Sequence, residues 1–240
     1  MSRVPPTVAS MSATPVGRAD LHVHPVGSGA YEGCPAGVLA ALPTTGLDLI
    51  GLTDHDRIDL AVELASRGAD VGLALVVGEE VTTREGHVLG LELRTLVMPG
   101  RGLGDTVAEI HAQGGIAIVA HPLLSIPIST SRTVLEALAQ GRPERRPDAV
   151  EGFNARVAWL PGYRRRLLRL AADAGYAVVG GSDAHRPADV GRGMTRYRGK
   201  TLADLAAAIA AVETTAEGRP YGLRELVLRA RQQAATRGHG

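Results

Sequence analysis

The sequence predicts an α/β domain with a mostly parallel β-sheet. Short aliphatic runs alternate with Ala- and Leu-rich stretches at helical spacing, which is the pattern of βαβ units. The 240 residues, 45% of them hydrophobic, are enough for one barrel or one large α/β domain. No internal repeat or long linker divides the chain. We therefore expect one domain over residues 18–215, with a flexible tail over 1–17 and a C-terminal helix and tail over 216–240.

Seven strands follow from the aliphatic runs, over residues 19–24, 47–53, 73–77, 87–93, 115–120, 149–153 and 176–181. Helical spacing predicts helices over 34–46, 58–69, 104–115, 132–141, 161–175, 201–213 and 221–236. Several of these helices end in glycine, the residue that most easily adopts the left-handed conformation of a helix end.

Composition argues against several classes of partner. The 26 basic and 25 acidic residues nearly balance, so we expect no general nucleic-acid binding and no membrane partner, although a local basic patch stays open. Aromatic residues make up only 3% of the chain, which leaves little for stacking on bases. The lone cysteine, Cys34, fits a reducing compartment, and we expect a cytoplasmic protein. The oligomeric state is not specified by these features.

Polar side chains with metal-binding chemistry follow most of the predicted strands. His22 and His24 end the first strand, where alternate side chains point to the same face. Five later strands continue into TDHD (53–56), GEE (78–80), AHP (120–122), FNAR (153–156) and GSDAH (181–185). The carboxyl ends of parallel barrel strands meet at one mouth, so we expect these side chains to converge.

His87 begins a strand instead of ending one. Too few residues separate it from Glu80 for a crossover helix, so the two strands are expected to be joined by a tight antiparallel turn. That turn brings His87 back to the mouth where Glu80 lies.

The converging residues have the chemistry of a metal cluster. Imidazole nitrogens mixed with carboxylate oxygens suit zinc, manganese or iron, and eight ligands exceed what one ion needs. We therefore expect two or three ions, held by six of the eight histidines together with two acids: His22, His24, His55, His87, His121, His185, Glu80 and Asp183.

The motifs HxH, TDHD, GxE, GHVLG, AHP and SDAH occur in this order between residues 19 and 193. This set resembles the polymerase and histidinol phosphatase (PHP) family of metal-dependent phosphoesterases. The resemblance implies a distorted (β/α)7 barrel. It also implies a first metal on His22, His24, Glu80 and Asp183, and a second metal on His87 and His121 bridged by Glu80. A third metal position would belong to His55 and His185.

The first motif departs from the family pattern at the third position. Many relatives resemble HxHTxxSDG, in which an acid completes this position, whereas Pro25 and Gly29 replace the Thr and the Asp here. Two histidines alone make a weak site for a divalent ion. We expect two divalent ions (Zn, Mn or Fe) and a weak third.

The expected reaction is hydrolysis of a phosphate ester of a small metabolite, of nucleoside or sugar phosphate type, by a metal-bound hydroxide. A metal lowers the pKa of bound water to about 7. If the third metal is absent, His55 or His185 could protonate the leaving oxygen, with Asp54 orienting an imidazole.

Three further residues are candidates for substrate binding. Arg156 and Arg192 lie just past strand ends, and the planar fork of arginine suits phosphate, although surface salt bridges explain them equally well. Asn154 lines the pocket or caps a loop. The run Arg164–Arg166 is expected to be a solvated helix face.

Two alternative functions stay open at this stage. One is an amidohydrolase-like hydrolase of a C–N or C–O bond, because such barrels use related His and Asp clusters. The other is a catalytically weak, metal-bound binding domain linked to replication or repair. GHVLG and SDAH together favour the phosphoesterase, and the fold alone justifies none of these choices.

Overall fold

The computed structural model describes residues 15–25, 46–67, 73–222 and Glu225. Its strands are β1 (Val16–Val23), β2 (Leu49–Leu52), β3 (Ala74–Thr83), β4 (Gly86–Leu91), β5 (Ile116–Val119), β6 (Ala149–Asn154), β7 (Ala177–Gly181), β8 (Gly193–Arg198) and β9 (Thr215–Gly218). They form one sheet in the order β7-β6-β5-β4-β3-β2-β1-β8-β9. All seven predicted strands are present, and β8 and β9 are additional.

The sheet nearly closes into a barrel at the carboxyl ends of β1 and β7. Val23 forms a parallel bridge with Ala184, just past β7. The N–H of His24 donates to the carbonyl of Ala184 at 2.8 Å, and the N–H of Ala184 donates to the carbonyl of His22 at 3.3 Å. At the opposite end of β1, the antiparallel strand β8 pairs with residues Val16–Ala19. The predicted distorted α/β barrel is confirmed, and the antiparallel strands β4 and β8 depart from a regular parallel barrel.

Five helices surround the sheet within the described residues: α1 (Asp59–Ala65), α2 (Leu103–Ala112), α3 (Arg132–Ala139), α4 (Tyr163–Ala174) and α5 (Leu202–Ala210). Each corresponds to a predicted helix. The predicted helices over 34–46 and 221–236 lie almost wholly outside the described residues. None of the described helices is long and apolar enough to cross a membrane.

The core is aliphatic, as the low aromatic content requires. Leu89, Ile118 and Val179 on the strands are completely buried, and α5 packs Leu205 and Ile209 against the same cluster. This packing holds the strands in fixed register, so their carboxyl ends form a rigid support for the polar residues beyond them.

The hairpin of β3 and β4 confirms the position predicted for His87. β3 continues to Thr83, well past the predicted end at residue 77, because β4 pairs with it from Gly78↔Leu91 to Thr83↔Gly86. This pairing provides the backbone hydrogen bonds of β3 after residue 77. The aliphatic run in the sequence did not reveal that the strand continues there. His87 lies opposite Thr82 and so returns to the level of Glu80.

Candidate metal centre

Glu80 lies at the centre of the histidines, and each of its carboxylate oxygens has its own neighbours. Oε1 lies 2.7 Å from Nδ1 of His87 and 3.0 Å from Nε2 of His121. Oε2 lies 3.2 Å, 3.3 Å and 3.2 Å, respectively, from Nε2 of His22, Nε2 of His24 and Nδ1 of His55. One carboxylate therefore faces two groups of imidazoles.

Asp183 completes the group on the His22 side. Its Oδ1 lies 3.4 Å from Nε2 of His24 and 3.9 Å from Nε2 of His22, and these two nitrogens lie 3.1 Å apart. Within three sets of residues, ligand atoms all lie within 4.8 Å of one another: His22, His24 and Asp183; His55, Glu80 and His87; and His24, His55 and His185.

These separations fit divalent metal ions. Ligand atoms placed 2.0–2.2 Å from a tetrahedral ion lie about 3.4 Å from each other. The charge also fits, because Glu80 and Asp183 are buried and buried carboxylates need nearby positive charge. Arg156 is the only arginine or lysine with an ion pair to either acid in the described chain, 3.8 Å from Asp183. Mixed nitrogen and oxygen donors of this kind are typical of zinc, manganese and iron sites.

A second layer around the cluster is organised by Glu151, which lies inside β6. Its Oε1 accepts from Nδ1 of His22 at 3.0 Å, and its Oε2 accepts from the backbone N–H of His121 at 2.8 Å and from Nδ2 of Asn154 at 3.0 Å. The contact depends on Gly181, where an added Cβ would lie 2.5 Å from both Glu151 Oε1 and the Cβ of His22. Glu151 was not predicted as a site residue.

Two candidate ligands have left-handed backbone conformations, which cost non-glycine residues about 1–3 kcal/mol each. These are His121, with φ of 26°, and Asp183, with φ of 53°. Each is held by local contacts: Ser129 donates to the carbonyl of His121 at 2.8 Å, and Asn154 donates to Oδ2 of Asp183 at 3.2 Å. The surrounding structure thus fixes the direction of both side chains.

Electrostatics divide the histidines into two kinds in the metal-free protein. Burial acts to lower the pKa of His22, His24 and His121, but Glu80 and its neighbouring acids outweigh burial and raise the pKa of all three. Burial, assisted by the charge of His24, lowers the pKa of His185 to about 3. Burial also lowers the pKa of His55. Both of these imidazoles are therefore neutral at pH 7.

Among the acids, Glu80 has a pKa well below the usual range. Burial acts to raise this pKa, but the charge of His22 and the hydrogen bonds of His121, His22 and His24 outweigh burial. Glu79 behaves in the opposite way. It points away from the cluster and accepts from the backbone N–H of Val97 at 2.9 Å, and burial raises its pKa to about 7. The two neighbouring glutamates therefore face opposite sides of β3, as alternate residues of a strand do.

The remaining predicted residues take different places. Arg156 reaches the cluster, with Nη1 2.9 Å from Nδ1 of His185. Asn154 is completely buried, and its side chain donates hydrogen bonds to Glu151 and Asp183. It therefore helps to hold the candidate ligands in position. Asp54 Oδ1 lies 3.9 Å from Nδ1 of His24.

Arg192 lies in a separate group of contacts. Its guanidinium pairs with Asp189 at 3.3 Å and with Glu225 at 2.8 Å, and it stacks over Tyr221 with its Cζ 4.5 Å from the ring centroid. These contacts hold the segment after β9 in place. Gly29 and Cys34 lie outside the described residues.

Asp20 is a second buried acid that sequence reasoning missed. Its carboxylate accepts from the backbone N–H groups of Ser182 at 2.9 Å and Gly191 at 2.8 Å, and so joins β1 to the loop that carries Asp183. An isolated acid directly before HVH was the available signal, but nothing in the sequence shows which backbone groups it meets.

Sequence comparisons match this chain to a family model and to a protein of another organism. A family model described as PHP-associated matches residues 161–214. An uncharacterized protein of Methanocaldococcus jannaschii is 30% identical over 148 residues, which cover 58% of this chain and 82% of that protein.

Solved structures share the fold at lower identity. A two-domain protein from Bacteroides vulgatus, containing a predicted PHP-like metal-dependent phosphoesterase, matches with a TM-score of 0.68 at 19% identity, over 91% of this chain and 69% of that chain. An amidohydrolase from Chromobacterium violaceum matches with a TM-score of 0.59 at 19% identity, over 80% of this chain and 96% of that chain. A lesion-specific endonuclease from Pyrococcus furiosus matches with a TM-score of 0.56 at 15% identity, over 84% of this chain and 58% of that chain.

At these identities the solved structures establish the fold alone, and their names agree with the hydrolase class predicted from the sequence. The ordered ligand motifs converge on one centre and the PHP-associated family model matches residues 161–214, and both findings support the assignment of this chain to the PHP family.

Proposed function

We propose that the protein is a metal-dependent phosphoric ester hydrolase with two divalent ions per chain. The position of Glu80 carries this proposal, because its two oxygens face two separate groups of imidazoles 2.7–3.3 Å away. One group is His22 and His24 with Asp183, and the other is His87 and His121. A carboxylate placed in this way could serve as a shared ligand for two ions, and paired ions would stabilise the attacking and leaving oxygens in phosphoryl transfer.

When bound, the ions supply an activated water and neutralise the charge of the phosphate. The protein's own residues orient the reactants. Glu151 holds the Nδ1 hydrogen of His22, so Nε2 is free to bind a metal. Arg156 lies beside His185 with 37% of its side chain exposed, and its guanidinium can bind phosphate oxygens at the mouth.

We assign His55 and His185 to metal binding. A proton donor to the leaving oxygen must be protonated, whereas burial lowers the pKa of both imidazoles in the metal-free protein. Neutral imidazole is the form that binds a metal. Asp54 lies beside His24 and supports the same ligand set.

The reacting group we propose is a phosphate ester of nucleoside or sugar phosphate type, and a cytoplasmic location remains part of the proposal. The amidohydrolase alternative gains no specific support from the shared fold, because one barrel serves many reactions. The binding-domain alternative is disfavoured by the two groups of candidate ligands around Glu80.

The test is a substrate screen with chelator-treated protein reloaded with zinc, manganese or ferrous iron. We expect cleavage of phosphate esters, lost on chelation and restored by a metal. His87→Gln should abolish it, whereas the matched variant His111→Gln should not, because His111 lies on α2 and pairs with Asp148 at 2.9 Å. Cleavage of amides without any cleavage of phosphate mono- or diesters would refute the proposal.

A further inference from the structure

A groove with an arginine rim is formed by the β6–α4 loop and α4. Its volume is about 600 Å³, and it is lined by Ala158, Leu160, Gly162, Arg164, Arg165, Leu168, Arg169 and Ala172. The floor is aliphatic and the rim is cationic. A volume in this range suits small ligands or single units of a polymer.

The positive charge of the groove is not neutralised locally. Arg165 and Arg169 are exposed, and neither forms a salt bridge within the part of the chain that the structure describes. They lie four residues apart on α4 and therefore project on the same side of the helix. Arg166 is exposed too but does not line the groove. Since the whole chain carries a net charge of only +1, this is a local patch and not a general basic character.

The β6–α4 loop connects the groove to the metal centre. Its second residue, Arg156, contacts His185 of the cluster, and Ala158, two residues later, already lines the groove. Two residues span at most about 7 Å. Trp159, the only tryptophan of the chain, directly follows Ala158 in sequence, with 40% of its side chain exposed. Its Nε1 donates to the carbonyl of Arg156 at 2.9 Å, which fixes the indole beside the mouth.

We propose that this surface binds a single strand of nucleic acid that continues from the phosphate at the metal centre. A single strand offers exposed bases for Trp159 and the aliphatic floor, and phosphates for Arg165 and Arg169. A duplex hides its bases. An acidic peptide would satisfy the arginines but would leave the indole and the aliphatic floor without a partner. The inference rests on the proposed function, which it narrows from phosphate esters in general to strands of nucleotides.

The experiment measures binding and does not depend on turnover. The full chain, as purified, is titrated with an oligothymidylate of about twelve nucleotides, within the range of known single-strand sites. Phosphorothioate linkages protect this probe from hydrolysis. Anisotropy of a fluorescent label gives the Kd at several salt concentrations, and quenching of Trp159 reports stacking, with no other tryptophan to interfere.

We expect the double variant R165Q/R169Q to bind roughly tenfold more weakly or worse at low salt. Its slope of log Kd against log salt should be smaller by about 1.4, at about 0.7 per lost phosphate contact. Arg166→Gln is the matched control, with unchanged affinity and slope. Saturable quenching of Trp159 at the Kd found by anisotropy supports stacking.

Equal affinity and slope in R165Q/R169Q and the unmodified protein would overturn the inference. So would binding of polyglutamate as tight as that of the strand, without quenching of Trp159. Hydrolysis of small phosphate esters by a protein that binds no strand would overturn this inference and leave the proposed function standing. Strand binding without any ester hydrolysis would support the groove and refute the proposed function.

Discussion

The Nδ1 atom of His22 lies 3.0 Å from Oε1 of Glu151, and this contact determines which nitrogen of His22 faces the metal centre. A carboxylate oxygen only accepts hydrogen bonds, so in the neutral, metal-binding form of His22 Nδ1 carries the hydrogen and Nε2 has the lone pair. Nε2 is the nitrogen directed at His24, Glu80 and Asp183. Glu151 therefore prepares a ligand without touching the metal site itself.

Glu151→Gln should lower metal affinity about 10–100-fold. The other oxygen of Glu151 accepts two hydrogen bonds, from His121 and Asn154, so the amide oxygen should take that place and the NH2 should face His22. That arrangement moves the hydrogen of His22 to Nε2 and removes its lone pair from the site. A chelator-competition titration measures the loss, with the half-buried Glu217→Gln, on β9, as the control. Unchanged affinity in Glu151→Gln would contradict this role.

Metal binding should release protons even at pH 7.5. The acids around His22, His24 and His121 outweigh burial and raise the pKa of these imidazoles, so they keep protons above pH 6.5, where ordinary histidines lose them. Only the neutral form binds a metal, so affinity should fall steadily as pH falls. Calorimetry in two buffers of different ionisation enthalpy counts the protons. No release at pH 7.5, or full metal occupancy in strong acid, would argue against these ligands.

The third metal position should be weak. His24, His55 and His185 approach one another closely enough to share an ion, but this set contains no carboxylate to offset its charge. We predict two tightly bound metals per chain after dialysis. Gly29→Asp should raise occupancy of a third, provided that the backbone there does not need the positive φ that glycine adopts easily. Elemental analysis measures the number of metals per chain. Three metals that survive dialysis of the unmodified protein would show that another residue completes the third metal position.

Much of the barrel could be predicted because its strands are aliphatic runs that end in polar motifs. The weakly patterned strands could not. β8, with the sequence GMTRYR, and β9, with TAEG, contain too few aliphatic residues to register as strands. They form because β8 pairs with β1 and β9 with β8, a long-range contact that a single sequence does not encode visibly.

The convergence of the candidate ligands was predictable for a similar reason, whereas the residues that hold them in place were not. His87 and Glu80 could be paired from the short turn between them alone, and the hairpin confirms it. In the sequence, Glu151 is an isolated acid in an aliphatic strand. Its partners on β1 and in the segment after β5 are distant in sequence, so its role could not be predicted. Arg192 resembled a phosphate ligand, but its partners Asp189 and Glu225 could be identified only in three dimensions.

Metal stoichiometry and phosphate ester hydrolysis in Glu80→Gln, compared with Glu79→Gln, test the account most directly. The two acids are adjacent in β3, yet Glu80 faces five histidines and Glu79 faces Val97 on the other side. We predict that Glu80→Gln loses most of the activity and much of the bound metal, because one charge serves both ions, while Glu79→Gln keeps both ions. Two metals per chain and normal turnover in Glu80→Gln would contradict the bridging role and with it the proposed two-metal centre.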